Sequence, residues 1–199
     1  LNESAYLHIL SIEDPIEFVY RDLKCTISQR EVGADTPSLE AGLHAGLRQD
    51  PDVIIIGELR DYATIQAALT AAETGHLVLA TLHTNDARST IQRIIDVFPA
   101  EAKNQIRMQL ASSLVGVVTQ QLLVRKDGAG RVPALEVMVA SPAIREFILE
   151  NALERIPEII ASSNTHYQMQ TMNQSLERLV KSEAITSDGT PSSSSSWAK

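Results

Sequence analysis

The strongest constraint on the fold is a run of four consecutive β-branched residues, Val53 to Ile56. Pro51 precedes the run and Gly57 follows it, so breaker residues limit it to the length of a short strand. A strand that is apolar at every position, instead of at alternate positions, is typical of the centre of a parallel sheet, where both faces are buried. The sequence therefore predicts a parallel sheet with this run in its middle.

Strands and helices are predicted to alternate around this run. Two further apolar segments are predicted as strands and three amphipathic segments as helices: Leu7–Ile12 and Leu77–Leu82 for the strands, and 38–49, 61–73 and a segment that begins at Asn85 or Asp86 for the helices. Such alternation predicts an α/β fold in which helices cover a parallel sheet. Gly42 and Gly46 each cost the first helix about 1 kcal/mol relative to alanine, which indicates close packing there. Residues 22–35 are expected to be hairpin-like, with a break at Gly33.

The second half of the chain carries a different pattern. Residues 100–122 are predicted to form a long helix, followed by a β-hairpin that pairs Leu122–Arg125 with Val132–Val139. Helices are predicted again over 141–161 and 169–184. We therefore expect three regions, which are a core of residues 1–140, a C-terminal helical subdomain of 141–186 and a disordered tail of 187–199. The tail is serine-rich and has no packing pattern.

Composition argues against several classes of function. The chain of 199 residues has a net charge of -8, and its 17 basic residues are scattered, which disfavours a nucleic-acid partner. No apolar stretch approaches the roughly 18 to 20 residues needed to span a bilayer, so we expect a cytoplasmic chain without direct membrane insertion. Cys25 is the single cysteine and cannot form an internal disulfide, so we expect it to act as a small buried apolar residue.

Polar side chains gather after the predicted strands. Glu13 and Asp14 follow the first strand, Glu58 follows the second, and His83 follows the third, which has His76 at its start. Because ligands of open parallel sheets bind beyond the carboxyl ends of the strands, these groups are expected to form one site. Carboxylates that act on magnesium and water, beside a hydrogen-bonding imidazole, are the groups that phosphoryl transfer to water requires. The alternative is that the acidic residues only cap the following helices.

Arginines and histidines raise two further questions. Arg30, Arg48 and Arg60 are candidates for completing a nucleotide site on a neighbouring subunit, because a guanidinium can stabilise charge that develops in the transition state. Taken one at a time, each could instead form a surface salt bridge. A zinc site built from His76 and His83 is not expected, since no third ligand accompanies them and zinc requires at least three protein ligands.

Several segments together resemble the secretion ATPase superfamily, which includes type II secretion motors and type IV pilus motors. SIEDPIEF at 11–18 resembles the Asp box of that superfamily, RQDPDVIIIGELRD at 48–61 its Walker B region, and TGHLVLATLHTNDA at 74–87 its His box. RIIDVFP at 93–99, GRVPALEVMVASPAIREFI at 130–148 and MQTMNQSL at 169–176 extend the resemblance. Pilus-extending and type II secretion motors usually carry a four-cysteine zinc module, which is absent here. The chain is therefore most similar to the retraction-type, PilT-like members.

The resemblance implies a RecA-like fold, ATP and Mg²⁺ as cofactors, and a role for each matching residue. Glu13 would activate the attacking water, Glu58 would act on Mg²⁺ through water, and His83 would sense the γ-phosphate. Arg30 would reach across a subunit boundary. The other motif residues, which would be associated with ATP and Mg²⁺, are Asp14, Gly57 and His76.

The resemblance also implies a setting for the protein. It would be an ATP-hydrolysing motor that drives type IV pilus retraction and twitching motility, assembled as a homo-oligomeric, hexameric ring. It would lie in the cytoplasm, peripheral to the inner membrane at the pilus base. Its expected partner there is the inner-membrane platform protein of the pilus.

Two departures from the superfamily pattern limit what the chain is expected to do alone. No GxxxxGK[ST] phosphate-binding loop occurs in it, so the sequence is interpreted as a C-terminal ATPase-domain fragment that is inactive by itself. His44 stands four residues before Arg48, where superfamily members commonly have arginine, and an imidazole would be a weaker, pH-dependent substitute. Two alternatives therefore remain open: a non-catalytic interaction fragment of such a ring, or a motor that extends pili or secretes proteins.

Overall fold

The computed structural model describes residues 1–186, and the predicted disordered tail of 187–199 lies outside them. The described residues form two compact units. The first comprises Leu1–His83 and Arg93–Ser113, and the second comprises Thr84–Gln92 together with the described residues from Leu114 onward. The residues just before the predicted boundary at residue 140 group with the C-terminal helices in the second unit, and that boundary stays a prediction.

The first unit is built on a sheet of four parallel strands in the order β2-β1-β3-β4. The strands are His8–Glu13 (β1), Thr26–Glu31 (β2), Val53–Ile56 (β3) and Leu77–Ala80 (β4). In the register of the sheet, Ile12 is opposite Ile56, and Ile56 is opposite Ala80. The carboxyl ends of β1, β3 and β4 therefore lie at one edge, and the predicted parallel α/β sheet is confirmed.

The prediction of a hairpin-like segment over residues 22–35 is wrong. β2 instead runs parallel to β1 along its whole length. A parallel neighbour has to begin at the same end of the sheet, so the chain must return along the sheet before β2 starts. Residues 14–25 make this return, and the side-chain oxygen of Asn2 helps to fix it by accepting a hydrogen bond of 3.0 Å from the backbone N–H of Leu23.

Helices follow the strands much as predicted. They are Leu39–Gly46 (α1), Tyr62–Glu73 (α2), Ala87–Asp96 (α3) and Lys103–Ser113 (α4), and a short 3-10 turn of Leu47–Gln49 follows α1. Ser38 and Asp61 cap α1 and α2, because each side chain accepts a hydrogen bond from a backbone N–H in the first helical turn. Gly46 allows α1 to lie directly against β1, since a Cβ atom there would overlap Cδ2 of Leu10. The close packing expected from the helical glycines is confirmed.

The second unit contains an antiparallel hairpin followed by helices. The hairpin pairs Gly116–Val124 (β5) with Arg131–Val139 (β6), and the helices are Pro142–Glu150 (α5), Ile156–Ser162 (α6), Asn164–Tyr167 (α7) and Met172–Lys181 (α8). The predicted helices over 141–161 and 169–184 are confirmed in outline. α5 ends at Asn151, which adopts a left-handed conformation with φ 58°. None of the helices formed by residues 1–186 is long and apolar enough to cross a membrane.

The predicted long helix over residues 100–122 is wrong beyond Ser113. Its last part is β5, which pairs with β6 along its full length. Val117 and Val118 are β-branched and fit a pleated strand better than a helix, and the strand is favoured by its antiparallel partner β6, which follows after a short turn. The apolar spacing alone could not distinguish the two structures.

Candidate active site

A cleft of about 430 Å³ opens at the carboxyl edge of the parallel sheet. The residues predicted from the sequence that line it are Glu13, Asp14, Gly57, Glu58, Arg60 and His83. They reach the cleft because β1, β3 and β4 are parallel and in register, so that the segments following them start side by side. The structure thus brings three separate parts of the sequence to one place.

Glu58 lies at the centre of a group of charged side chains. Its Oε2 atom accepts a hydrogen bond of 2.5 Å from Nε of Arg60, and its Oε1 atom lies 3.4 Å from Nε2 of His83. The Glu58 side chain is only 17% exposed. The hydrogen bond from Arg60 lowers the pKa of Glu58, and its effect exceeds that of burial, which acts in the opposite direction. Glu58 is therefore ionised at neutral pH.

Arg60 bridges two carboxylates of its own chain. In addition to its bond with Glu58, its terminal nitrogen NH1 lies 3.5 Å from Oδ2 of Asp14. The guanidinium is thus engaged by two carboxylates of its own chain, while the Arg60 side chain is 57% exposed. The intramolecular salt bridge considered as the alternative role of Arg60 is the arrangement in the structure, and the role of Arg60 as a trans arginine stays a prediction.

Two neighbours that the sequence did not single out orient Glu13. The hydroxyl of Ser11 donates a hydrogen bond of 2.6 Å to Oε1 of Glu13, and Nε2 of Gln29 donates one of 3.1 Å to the same oxygen. Ser11 is buried within β1, where it is 1% exposed. A serine inside the apolar run Leu7–Ile12 was a signal for this contact, because residues two apart on a strand share a face.

Gly57 brings the ends of β1 and β3 close together. A Cβ atom at Gly57 would lie 3.3 Å from Cα of Glu13, so a side chain there would press on the backbone of that residue. The Gly57 carbonyl accepts a hydrogen bond from the hydroxyl of Thr81, which follows β4 and also lines the cleft. Gly57 therefore helps to set the spacing between the acidic residues at the strand ends.

The structure keeps His76 away from the cleft. His76 precedes β4 whereas His83 follows it, so the two histidines belong to opposite ends of the strand. Nδ1 of His76 lies 3.0 Å from the carbonyl oxygen of Ala71, and a carbonyl can only accept, so this nitrogen carries the proton. The ring of His76 therefore hydrogen-bonds the end of α2, and an association of His76 with ATP or Mg²⁺ stays a prediction.

Arg30, Arg48 and His44 are also outside the cleft lining. Arg30 lies on β2, Arg48 is exposed in the 3-10 turn after α1, and His44 is exposed on α1, where its Nε2 is 3.8 Å from Oε1 of Glu40. Across residues 1–186, these side chains do not contribute to the lining of the cleft. Arg30 and Arg48 therefore remain predictions for a role on another subunit.

Metal binding by protein side chains alone is not supported in the described part of the chain. Residues 1–186 contain no group of three or more His, Cys, Asp or Glu side chains that could hold a metal ion. Mg²⁺ prefers oxygen ligands and usually retains several waters beside one or two carboxylates and substrate phosphates. The carboxylates of the cleft, Glu58 among them, fit that kind of partial site.

The fold and the cleft indicate the class of protein to which this chain belongs. The chain is an α/β protein with a RecA-like parallel sheet and an acidic cleft at the ends of its strands. The sequence model of the type II/IV secretion system protein family matches residues 1–187. The chain belongs to that family.

Individual relatives are similar over nearly the whole chain. The twitching motility protein of Neisseria gonorrhoeae is 49% identical over 185 residues, which are 93% of this chain and 49% of that protein. The type IV pilus retractation ATPase PilT of Pseudomonas aeruginosa is 48% identical over 186 residues, which are 94% of this chain and 54% of that protein. The chain therefore spans about half the length of the curated relatives that it matches.

A solved structure of a pilus motor is also similar to this chain. A crystal structure of the pilus retraction motor PilT with bound ADP matches the fold with a TM-score of 0.86 and 46% identity. The match covers 96% of this chain and 55% of that one. The arrangement of strands and helices described above is therefore that of a known nucleotide-bound protein.

Proposed function

We propose that the protein is an ATP-hydrolysing motor of a type IV pilus machine, and that it drives pilus retraction. The observation that carries the proposal is the cleft in which Glu13 ends β1, Glu58 follows the neighbouring strand β3, and His83 lies 3.4 Å from Glu58. The twitching motility and PilT relatives, both close to half identical to this chain, support the choice of a pilus motor.

Glu13 is proposed to orient and deprotonate the water that attacks the γ-phosphate. A general base must lie within hydrogen-bond reach of the proton it removes, and Glu13 is held at the cleft by Ser11 and Gln29. Both of these bonds go to Oε1. Within residues 1–186 no side chain or backbone group is a hydrogen-bond partner of Oε2, so this second oxygen is available to water.

Glu58 and His83 are proposed to act on the metal and the γ-phosphate. Glu58 is ionised and would hold a water of Mg²⁺, and the metal would supply charge neutralisation on the phosphates. The His83 side chain is 79% exposed, so it is free to turn towards a phosphate oxygen and donate a hydrogen bond. Glu13, Asp14 and Glu58 face one cation, Arg60, in the cleft, and this excess of negative charge favours a divalent cation that enters with the nucleotide.

The assembly is proposed to be a homo-oligomeric ring, hexameric by resemblance, in which Arg30 or Arg48 of one subunit serves the nucleotide on the next. We further propose a location at the cytoplasmic face of the inner membrane and contact with the platform protein of the pilus. The 199 residues carry no GxxxxGK[ST] string, so we expect them not to hydrolyse ATP by themselves.

The test uses the protein expressed from its complete gene. Glu13→Gln keeps the size of the side chain and removes its charge, so we expect kcat for Mg²⁺-dependent ATP hydrolysis to fall on the order of 10² to 10⁴-fold, the usual contribution of a general base. Glu40→Gln is the matched control, because Glu40 is an exposed carboxylate of α1 outside the cleft lining. Equal turnover in the Glu13→Gln variant and the control would refute the role of Glu13.

An experiment in cells distinguishes a retraction motor from an extension motor. A strain that lacks a retraction motor should retain surface pili and lose twitching, whereas a strain that lacks an extension motor should have no pili. We expect the first outcome on deletion of this gene. If the complete protein hydrolyses no ATP under any tested condition, the non-catalytic interaction role replaces the motor proposal.

A further inference from the structure

We propose that Gln29 is a positioning residue that fixes the carboxylate of Glu13, and that it does so by tying Glu13 to the loop between β1 and β2. The inference rests on the proposed role of Glu13 as the general base. Gln29 is not part of the motifs that carry the family resemblance of Glu13, and it lies on the neighbouring strand β2.

The register of the sheet places Gln29 beside the residues that it contacts. Gln29 is opposite Ser11 in the parallel pairing of β1 and β2. Because residues two apart on a strand share a face, Ser11 and Glu13 lie on one face of β1. Gln29 is on the same side, since its Nε2 atom donates to Oε1 of Glu13 at 3.1 Å.

The orientation of the Gln29 amide is determined by its other partners. Its Oε1 atom accepts a hydrogen bond of 2.8 Å from the backbone N–H of Tyr20, which can only donate. Its Nε2 atom donates a hydrogen bond of 2.9 Å to the carbonyl oxygen of Phe18, which can only accept. The amide therefore presents its NH₂ group to Glu13, and the two protons of that group are shared between Phe18 and Glu13.

These bonds fix one oxygen of Glu13 and leave the other for chemistry. Ser11 and Gln29 both donate to Oε1, so the carboxylate cannot rotate freely about its terminal bond. A carboxylate held by charge-assisted hydrogen bonds keeps its second oxygen in a defined direction. Catalysis is sensitive to such direction, since a misplacement of about 1 Å can reduce a rate about 10²-fold.

The same amide couples Glu13 to an exposed apolar loop. Phe18 is 65% exposed, Val19 is 77% exposed and Tyr20 is 48% exposed, and the rings of Phe18 and Tyr20 are in tilted contact with their centroids 5.2 Å apart. Gln29 bonds the backbone of the first and last of these residues. A shift of this loop would therefore move the Gln29 amide and, through it, the carboxylate of Glu13.

The experiment measures ATP turnover by the protein expressed from its complete gene, with Gln29→Met and Gln29→Glu. Methionine keeps the approximate length and removes every hydrogen bond, while glutamate keeps an acceptor for Tyr20 and places a like charge beside Glu13. We expect kcat to fall on the order of 10 to 100-fold in both, with KM for ATP changed less than about twofold. A rise in KM at constant kcat would overturn the inference.

A double-mutant comparison separates positioning from a general effect on the structure. In a Glu13→Gln background the group that Gln29 positions is already lost, so adding Gln29→Met should reduce the residual kcat by less than about twofold. If the two effects multiply, Gln29 does not act through Glu13 and the inference is wrong. If Glu13→Gln alone leaves turnover unchanged, the proposed function fails instead.

Asn2→Ala is the matched control for loosening the loop. Asn2 fixes the end of the same loop through the backbone N–H groups of Leu23 and Cys25, and it makes no hydrogen bond to Glu13. We expect kcat of this variant to stay within about twofold of the unmodified protein, with a similar decrease in unfolding midpoint to that of Gln29→Met. A loss of kcat equal to that of Gln29→Met would show that loop order alone explains the effect and would overturn the inference.

Discussion

Gly46→Ala is expected to destabilise the protein, although alanine is the better helix former. Gly46 is the last residue of α1 and faces β1, and a Cβ atom there would overlap Cδ2 of Leu10. Leu10 is 0% exposed, so its side chain cannot move aside into solvent. The added methyl must therefore displace either the side chain of Leu10 or the whole helix.

The size of the effect follows from two opposing contributions. Replacement of glycine by alanine inside a helix stabilises by up to about 1 kcal/mol. Insertion of a methyl group into a well-packed core costs about 1 to 3 kcal/mol, and the fully buried Leu10 favours the upper part of that range. We therefore expect a net loss of about 1 to 2 kcal/mol in the free energy of unfolding.

Urea unfolding followed by circular dichroism measures this difference, because a lower midpoint at an unchanged slope reports a change in stability. Gly42→Ala is the matched control on the same helix, where the new Cβ would lie 2.9 Å from Cγ2 of Ile12 and the overlap is smaller. Leu10→Ala should cost less in the Gly46→Ala background than alone, because the new methyl fills part of the cavity. An increase in stability for Gly46→Ala would refute the close contact between α1 and β1.

Three further predictions concern charges and caps. The Arg125 guanidinium lowers the pKa of Asp127 to about 2, so NMR titration of Arg125→Met should show that pKa rising towards 3.8, and the stabilisation from the pair should be lost as pH falls towards 2. Arg60→Met should raise the pKa of Glu58 in an NMR titration, since the hydrogen bond from Arg60 lowers that pKa. The stabilisation from this ion pair is complete above the ordinary carboxyl pKa of 4.5 and is lost as the pH falls through the lowered pKa of Glu58. Thr171→Ala removes the capping box at the start of α8 and should lower the free energy of unfolding by about 1 kcal/mol in urea titrations, whereas Thr171→Ser should retain most of it.

The central sheet and its acidic edge were predictable from local pattern. Val53 to Ile56 required a buried strand, and the ends of parallel strands meet at one edge irrespective of the loops between them. Glu13, Glu58 and His83 could therefore be grouped without a structure. His76 could not be assigned to the site on the same reasoning, because it stands at the start of β4 instead of its end.

The wrong predictions concern segments whose structure depends on pairing with another strand. Residues 26–31 and 116–124 have patterns compatible with more than one element, and each becomes a strand because of the strand it pairs with. The hydrogen bond from Gln29 to Glu13 likewise depends on the register between β1 and β2, which no local pattern encodes. In contrast, the contact between the side chains of Ser11 and Glu13 was predictable, because residues two apart on a strand share a face.

Arg60 shows how this spacing changes the interpretation of a charged residue. Arg60 stands two positions after Glu58, and both side chains line the cleft and form an ion pair. Among the cleft-lining residues of 1–186, Arg60 is the only lysine or arginine, and its guanidinium already pairs with Glu58 and lies close to Asp14. A polyphosphate in this cleft would therefore need positive charge from other sources, which are Mg²⁺, a phosphate-binding loop and a neighbouring subunit. Arg30 and Arg48 are then the arginines to test for the last of these, and Arg60→Met should change the metal dependence of turnover more than its dependence on subunit concentration.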